Sequence, residues 1–175
     1  MNVLALDTAT PYLTLGALGG ERSLLRGRRH AETLMGDLEE FLTWVGLRKE
    51  DLELLVVGVG PGSYTGLRVG AAAALGISRA LKIPVVGVST LAAMAARRPG
   101  LVRPALTARS GHLYTALYRV TDEVEELSPP TKLPAAELPQ DACQLLDAPP
   151  SGRALARLGL NAYASGARDM RLIYL

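Results

Sequence analysis

The stretch from Leu54 to Val88 constrains this chain more than any other. Leu54-Leu-Val-Val-Gly-Val59 is an apolar, β-branched run of strand length with no polar residue to offer water, so it predicts a central strand buried on both faces. Gly60-Pro-Gly-Ser-Tyr-Thr-Gly66 follows as a turn, and Leu67 to Leu81, alanine-rich and without proline, predicts a helix. Ser63 or Thr65 is placed to cap its first turn. Ile83-Pro-Val-Val-Gly-Val88 predicts the next strand, making a βαβ crossover that should be right-handed. Such a corner can point backbone N–H groups at a partner or an anion. It is not a Walker loop, because Leu67 and Arg68 follow Gly66 where Lys and Ser/Thr belong. It is not a dinucleotide fingerprint either, since Thr65 stands in place of the third glycine. The glycines equally suit a tight turn and close helix–strand packing, with positive φ expected at Gly62.

Upstream, Asn2 to Leu6 predicts a short strand that delivers Asp7 to its end, followed by Thr8, Ala9 and Thr10. Tyr12–Leu18 and Ser23–Arg28 predict a hairpin whose Gly19-Gly20 suits a two-residue turn with positive φ. A carboxylate at a strand end with hydroxyls beside it fits two readings: a loop that holds phosphate or Mg²⁺, or an Asx-type turn bonded to its own N–H groups. Ala31 to Val45 predicts an amphipathic helix with Ala31, Leu34, Met35, Leu38, Phe41, Leu42 and Val45 on one stripe. Glu32, Asp37, Glu39 and Glu40 lie off it, and Gly46 suits the C′ position. Arg28-Arg29-His30 opposes the helix dipole, which marks it for function or for pairing with carboxylates. In the second helix, Gly66, Gly70 and Ala74 recur at helical spacing and suit close approach by another helix or by a sheet. Ser89–Ala96 predicts a third, shorter helix.

The second half is less legible. Val102–Ala108 and His112–Val120 predict strands joined at Arg109-Ser-Gly111. Six of the eleven prolines fall between Pro129 and Pro150, which predicts loop with at most one short strand. Gly152–Leu158 predicts a short helix. A net charge of +2 is too small to argue for nucleic-acid binding by itself. One cysteine, Cys143, leaves no internal disulfide or cysteine-rich zinc site. The two histidines, His30 and His112, are far apart, and no Gly-x-Ser-x-Gly elbow occurs. No apolar run spans a bilayer and no signal-peptide pattern opens the chain, so a cytoplasmic protein with no membrane contact is expected.

The eleven residues Gly60-Pro-Gly-Ser-Tyr-Thr-Gly-Leu-Arg-Val-Gly70 closely resemble the signature of the TsaB family, also called YeaZ, bacterial proteins needed to make threonylcarbamoyladenosine in tRNA. The resemblance extends to Leu4-Ala-Leu-Asp-Thr-Ala-Thr10, Arg29-His-Ala-Glu-Thr-Leu34 and Pro84-Val-Val-Gly-Val-Ser-Thr-Leu91, and it fades after about Tyr118. The closing Ile173-Tyr-Leu175 is similar to the family's Tyr-Leu-Arg. Thr107 stands where the family usually carries Asp.

The resemblance implies an α/β fold of the actin-like ATPase (ASKHA, ribonuclease-H-like) type. It would have a fuller N-terminal lobe, residues 1–100, and a shortened C-terminal lobe, residues 101–175. Asp7, Thr8 and Thr10 would be a vestigial nucleotide loop. Gly60, Pro61, Gly62, Ser63, Tyr64, Thr65, Gly66 and Arg68 would be the signature loop. Leu34, Leu38, Leu67, Gly70, Ala71 and Ala74 would line a subunit interface. The related catalytic protein TsaD carries a His-x-x-x-His metal pair, and ungapped comparison sets Thr90 and Met94 near those positions, neither a comparable ligand. The implied function is a non-catalytic subunit, a homodimer when isolated, without metal or cofactor of its own. It would bind and activate a TsaD-like enzyme alongside a TsaE-like ATPase that uses ATP, and meet tRNA only through the complex. The competing reading is a small actin-like phosphotransferase using Asp7, Thr8 and Thr10, for which Ser165-Gly166 is the one candidate for a second phosphate loop. A plain homodimeric scaffold and a metallopeptidase are the further alternatives.

Overall fold

The computed structural model describes all 175 residues. The strands β1 (Val3–Asp7), β2 (Tyr12–Ala17), β3 (Gly20–Leu25), β4 (Leu54–Gly58) and β5 (Val85–Val88) form a sheet in the order β3-β2-β1-β4-β5. β1, β4 and β5 run parallel, and β2 is antiparallel to both β1 and β3. The helices α1 (His30–Val45) and α2 (Tyr64–Leu81) cover one face. Leu4, Leu6, Leu55 and Val57 meet Leu34, Leu38 and Phe41 there. Their sequence neighbours Val3, Ala5, Leu54 and Val56 point to the opposite face and pack on Leu155 and Ala156 of α4 (Gly152–Ala164). The strict side-chain alternation of strands thus explains why β1 and β4 are apolar throughout: both faces are covered.

A short helix α3 (Thr90–Ala95) leads to a second sheet. Its strands are β6 (Gly100–Thr107), β7 (His112–Val120), β8 (Val124–Pro134) and β9 (Cys143–Leu146), in the order β8-β7-β6-β9. Leu91 and Met94 of α3 pack with Val102, Leu106, Ala116 and Tyr118 in a separate core. Residues 100–146 make this sheet, and the chain then returns to the first one through α4 and through Met170, Leu172 and Ile173. Residues from 151 onward therefore sit with the N-terminal sheet, although they lie within the segment 101–175 that the sequence groups as one lobe.

Several local expectations change. The hairpin turn at Gly19-Gly20 uses no positive φ. Gly20 instead leaves room for the Trp44 ring, which a Cβ would approach to 2.8 Å. On α1, Ala31 and Met35 leave the buried stripe, whereas Asp37 joins it. Asp37 is buried because Arg26 bonds its carboxylate with two donors, at 2.9 and 2.5 Å. These bonds hold Asp37 below the ordinary carboxylate range, against the opposing effect of desolvation. The proline-rich stretch holds two strand segments where at most one short strand is expected: β8 runs through Pro129 and Pro130 to Pro134, and β9 follows at Cys143–Leu146. β8 lies at the sheet edge, with register shifts between Thr115 and Tyr118 of its neighbour, where missing N–H donors are tolerated. α4 is also about a turn and a half longer than expected. No helix is long and apolar enough to cross a membrane.

Candidate functional site

In open α/β sheets the ligand crevice lies at the carboxyl ends of the parallel strands. Here β1 delivers Asp7–Thr10 to that edge, β4 delivers the Gly60–Gly66 turn, and β5 delivers Ser89 and Thr90. The structure brings these loops together and fills the space between them with protein groups.

Asp7 is fully buried. One oxygen accepts from the backbone N–H of Ala9 at 2.8 Å, and the other accepts from Thr90 Oγ1 at 2.7 Å. Thr90 Oγ1 in turn accepts from the Gly60 N–H at 3.0 Å. Burial pushes the Asp7 carboxyl up to about 6, and the bonds from Thr90 and Ala9 only partly oppose that rise. Thr8 Oγ1 donates to the Gly66 carbonyl at 2.6 Å, and Thr10 Oγ1 accepts from the Tyr12 N–H at 3.1 Å. Of the two readings of Asp7–Thr10, the hydrogen bonds are those of an Asx-type turn, tied in addition to two distant loops.

The signature turn packs directly on this loop. Ser63 N–H donates to the Ala9 carbonyl at 2.8 Å. A Cβ on Gly58 would collide with the Asp7 carboxylate, one on Gly62 with the Ala9 carbonyl, and one on Gly66 or Gly70 with Thr8. The positive φ falls at Gly60 (92°) and not at Gly62, so Gly62 is required for contact and Gly60 for backbone conformation. Ser63 is the N-cap of α2, accepting from the Gly66 N–H at 3.2 Å, and Thr65 does not share that task. Pro61 is buried, while Tyr64, Thr65 and Arg68 project into solvent.

The six residues expected at a subunit interface lie elsewhere. Leu34, Leu38, Leu67, Gly70, Ala71 and Ala74 are all buried within the chain. Gly70 abuts Thr8 and Leu6, so the small-residue row of α2 faces the sheet. The outward sides of α1 and α2 carry Met35, Gly36, Ala72, Leu75 and Gly76 instead. Helical periodicity finds the row but not what covers it.

Other participants had no local signal. Thr90 reaches Asp7 across 83 positions. His30, 5% exposed, donates from Nε2 to the Thr10 carbonyl at 2.8 Å, and its buried Nδ1 has no partner. The histidine beside Arg28-Arg29 thus anchors the Asp7–Thr10 loop. The backbone of Asp169–Ile173 lies along the strand ends, with Gly87 N–H donating to Asp169 and Ile173 N–H to Val59 at 3.2 and 2.8 Å. Thr107 bonds Asp147 through both its N–H and its hydroxyl, at 2.7 and 2.6 Å, so a carboxylate stands beside the position where the family resemblance leads one to expect Asp. A cleft of about 460 Å³ lies between Thr121-Asp122-Glu123 and Arg153 and Arg157 of α4, and no sequence-predicted site residue lines it.

A family model described as "TsaD: tRNA N6-adenosine threonylcarbamoyltransferase" matches residues 19–138. An uncharacterized protein of Mycobacterium tuberculosis is 37% identical over 154 residues, covering 84% of this chain and 72% of its own length. The tRNA threonylcarbamoyladenosine biosynthesis proteins TsaB of Escherichia coli and Bacillus subtilis are 36% and 33% identical, each match covering 68% of this chain and 55% and 56% of theirs. The structure of YeaZ from Pseudomonas aeruginosa superposes with a TM-score of 0.89 at 24% identity, over 99% of both chains. Two mixed sheets with this connectivity, and these matches, define an actin-like (ASKHA) α/β protein of the TsaD type. The chain belongs to the TsaB (YeaZ) family.

Proposed function

We propose that this chain is the non-catalytic subunit that binds and activates a TsaD-type enzyme in threonylcarbamoylation of the tRNA adenosine beside the anticodon. The observation that carries this is the internal use of the strand-end crevice. Asp7 and Thr8 are spent on Ala9, Thr90 and Gly66. Thr90 and Met94, near the positions compared with the metal histidines of TsaD, are both fully buried. Those bonds argue against the phosphotransferase reading, which needs an open phosphate loop at Asp7, Thr8 and Thr10. Family membership supports a place in the tRNA modification named for the TsaB relatives.

The partner surface in this reading is the outer side of α1 and α2. Met35 is 54% and Leu75 38% exposed. Gly36 and Gly76 have open space where a side chain would sit, so another helix can approach closely there. A second copy would use the same surface in the isolated protein, and a TsaE-type ATPase would join the assembled pair. Sedimentation of the chain with the TsaD-type protein of the same genome tests the reading: a defined complex is expected, lost on Ala72→Trp with Leu75→Glu. Free sedimentation of the two proteins at micromolar concentration, or ATP turnover by this chain alone, would overturn it.

A further inference from the structure

The glycines of the signature string are accounted for by packing on Leu6, Thr8, Ala9, Leu67 and Ile173. Two of its large side chains are not needed for that packing. Tyr64 is 59% exposed, and Arg68 bonds only the Tyr64 hydroxyl, at 3.2 Å, with its guanidinium 5.5 Å from the ring centroid. Tyr174, 52% exposed, brings a second ring to 5.3 Å from the first at an interplanar angle of 41°. Its position is set by the backbone bond of Ile173 to Val59. Two aromatic faces and a guanidinium therefore stand together in solvent at the carboxyl edge of the sheet.

From this geometry we infer that Tyr64, Arg68 and Tyr174 form a stacking platform for an unpaired base of a single-stranded RNA loop. The inference rests on the reading of the chain as a subunit in tRNA modification, and it adds a direct RNA contact to that reading. Unpaired bases are held by stacking on aromatic rings and arginine planes, with the polar backbone left outside. Ser63 and Thr65, which flank Tyr64 in the chain, are exposed and polar, the exposed Arg171 lies three residues before Tyr174, and Leu175 beside Tyr174 is 46% exposed. The apolar part of the outer α2 face begins at Ala72 and Leu75, about 12–16 Å further along the helix, so the tyrosines stand at its polar end.

The test uses the full chain, alone and with its TsaD-type partner, and a fluorescein-labelled RNA hairpin with an unpaired loop beside a fully paired duplex of the same stem. Hairpin binding stronger than duplex binding is expected. Tyr64→Ala/Tyr174→Ala should weaken hairpin binding by roughly tenfold or more, and Tyr64→Phe/Tyr174→Phe should restore it. Complex formation with the partner should be unchanged. Tyr64→Ala alone, which leaves the tail intact, should give a smaller loss in the same direction. Hairpin binding that is absent, or equal in wild type and the alanine pair, would overturn the platform while leaving the partner reading standing. Loss of partner binding in the alanine pair would assign the rings to a protein contact and overturn it equally.

Discussion

Asp7 is the residue whose environment is most at odds with its chemistry. A carboxylate with no cation beside it has been taken wholly out of water and given two hydrogen bonds, and its ionised form is disfavoured, with its carboxyl pushed up to about 6. In the unfolded chain it titrates near 3.8, so the folded state binds the proton more tightly. Its contribution to stability is therefore full below pH 3.8 and is lost as pH rises through 6, a loss on the order of 3 kcal/mol by pH 8. Asp7→Asn keeps an acceptor for Ala9 and removes the charge. It should raise the unfolding midpoint by several degrees at pH 8 relative to the parent, with the gain shrinking toward pH 4. Calorimetry across that range decides it, and a midpoint lowered equally at both ends would contradict the assignment. At the neighbouring turn, Gly60→Ala should cost ~1–3 kcal/mol through its φ of 92°. Gly62→Val should cost at least as much by collision with the Ala9 backbone. Urea unfolding would read both.

Among the elements, α2 shows what periodicity can and cannot reveal. Gly66, Gly70 and Ala74 are visible as a row in the sequence, but small residues serve a sheet as well as a helix, and only Thr8 and Leu6 beneath them settle the direction. Ala74, fully buried, is thus a folding position. Ala74→Trp should unfold or strongly destabilise the chain, since overpacking costs typically ~1–3 kcal/mol and more where backbone must move. Ala72→Trp, on the outward side, should leave the melting curve nearly unchanged and weaken association. A melting loss at Ala72 as large as at Ala74 would reverse the assignment of the two faces. α4 was only partly legible because its partners are remote. Glu21 of β3 accepts from Ser151 Oγ and the Arg153 N–H at 2.7 and 2.8 Å, and pairs with Arg97 at 3.6 Å. Partial burial would raise the Glu21 carboxyl, but these bonds and the arginine charges lower it on balance. The stability it supplies is present above the ordinary glutamate range near 4.5 and is lost as pH falls through its depressed value. Glu21→Gln should therefore lower the midpoint at pH 7 and narrow the gap to wild type as the buffer is acidified.

At the scale of the molecule, the sequence makes the first sheet readable because each of its central strands and helices carries its own period. The βαβ unit, α1 and the strand before Asp7 all appear within a residue or three of their expected bounds. The second sheet is harder to read because β8 is an edge strand that tolerates Pro129 and Pro130, and turn chemistry masks it. The closure of the strand-end crevice was out of reach, since it joins Asp7, Gly60, Thr90 and Ile173 from four separate segments. That closure is also what supports the proposed reading, in which a crevice filled by its own side chains leaves the function to the surface. The most direct measurement is the threonylcarbamoyladenosine content of a tRNA transcript incubated with ATP, the threonylcarbamoyl adenylate and the TsaD- and TsaE-type proteins, with and without this chain. Modification that requires the chain, persists with Asp7→Asn and falls at least tenfold with Ala72→Trp/Leu75→Glu is the result predicted. Equal modification without the chain, or full activity from the surface variant, would contradict the account.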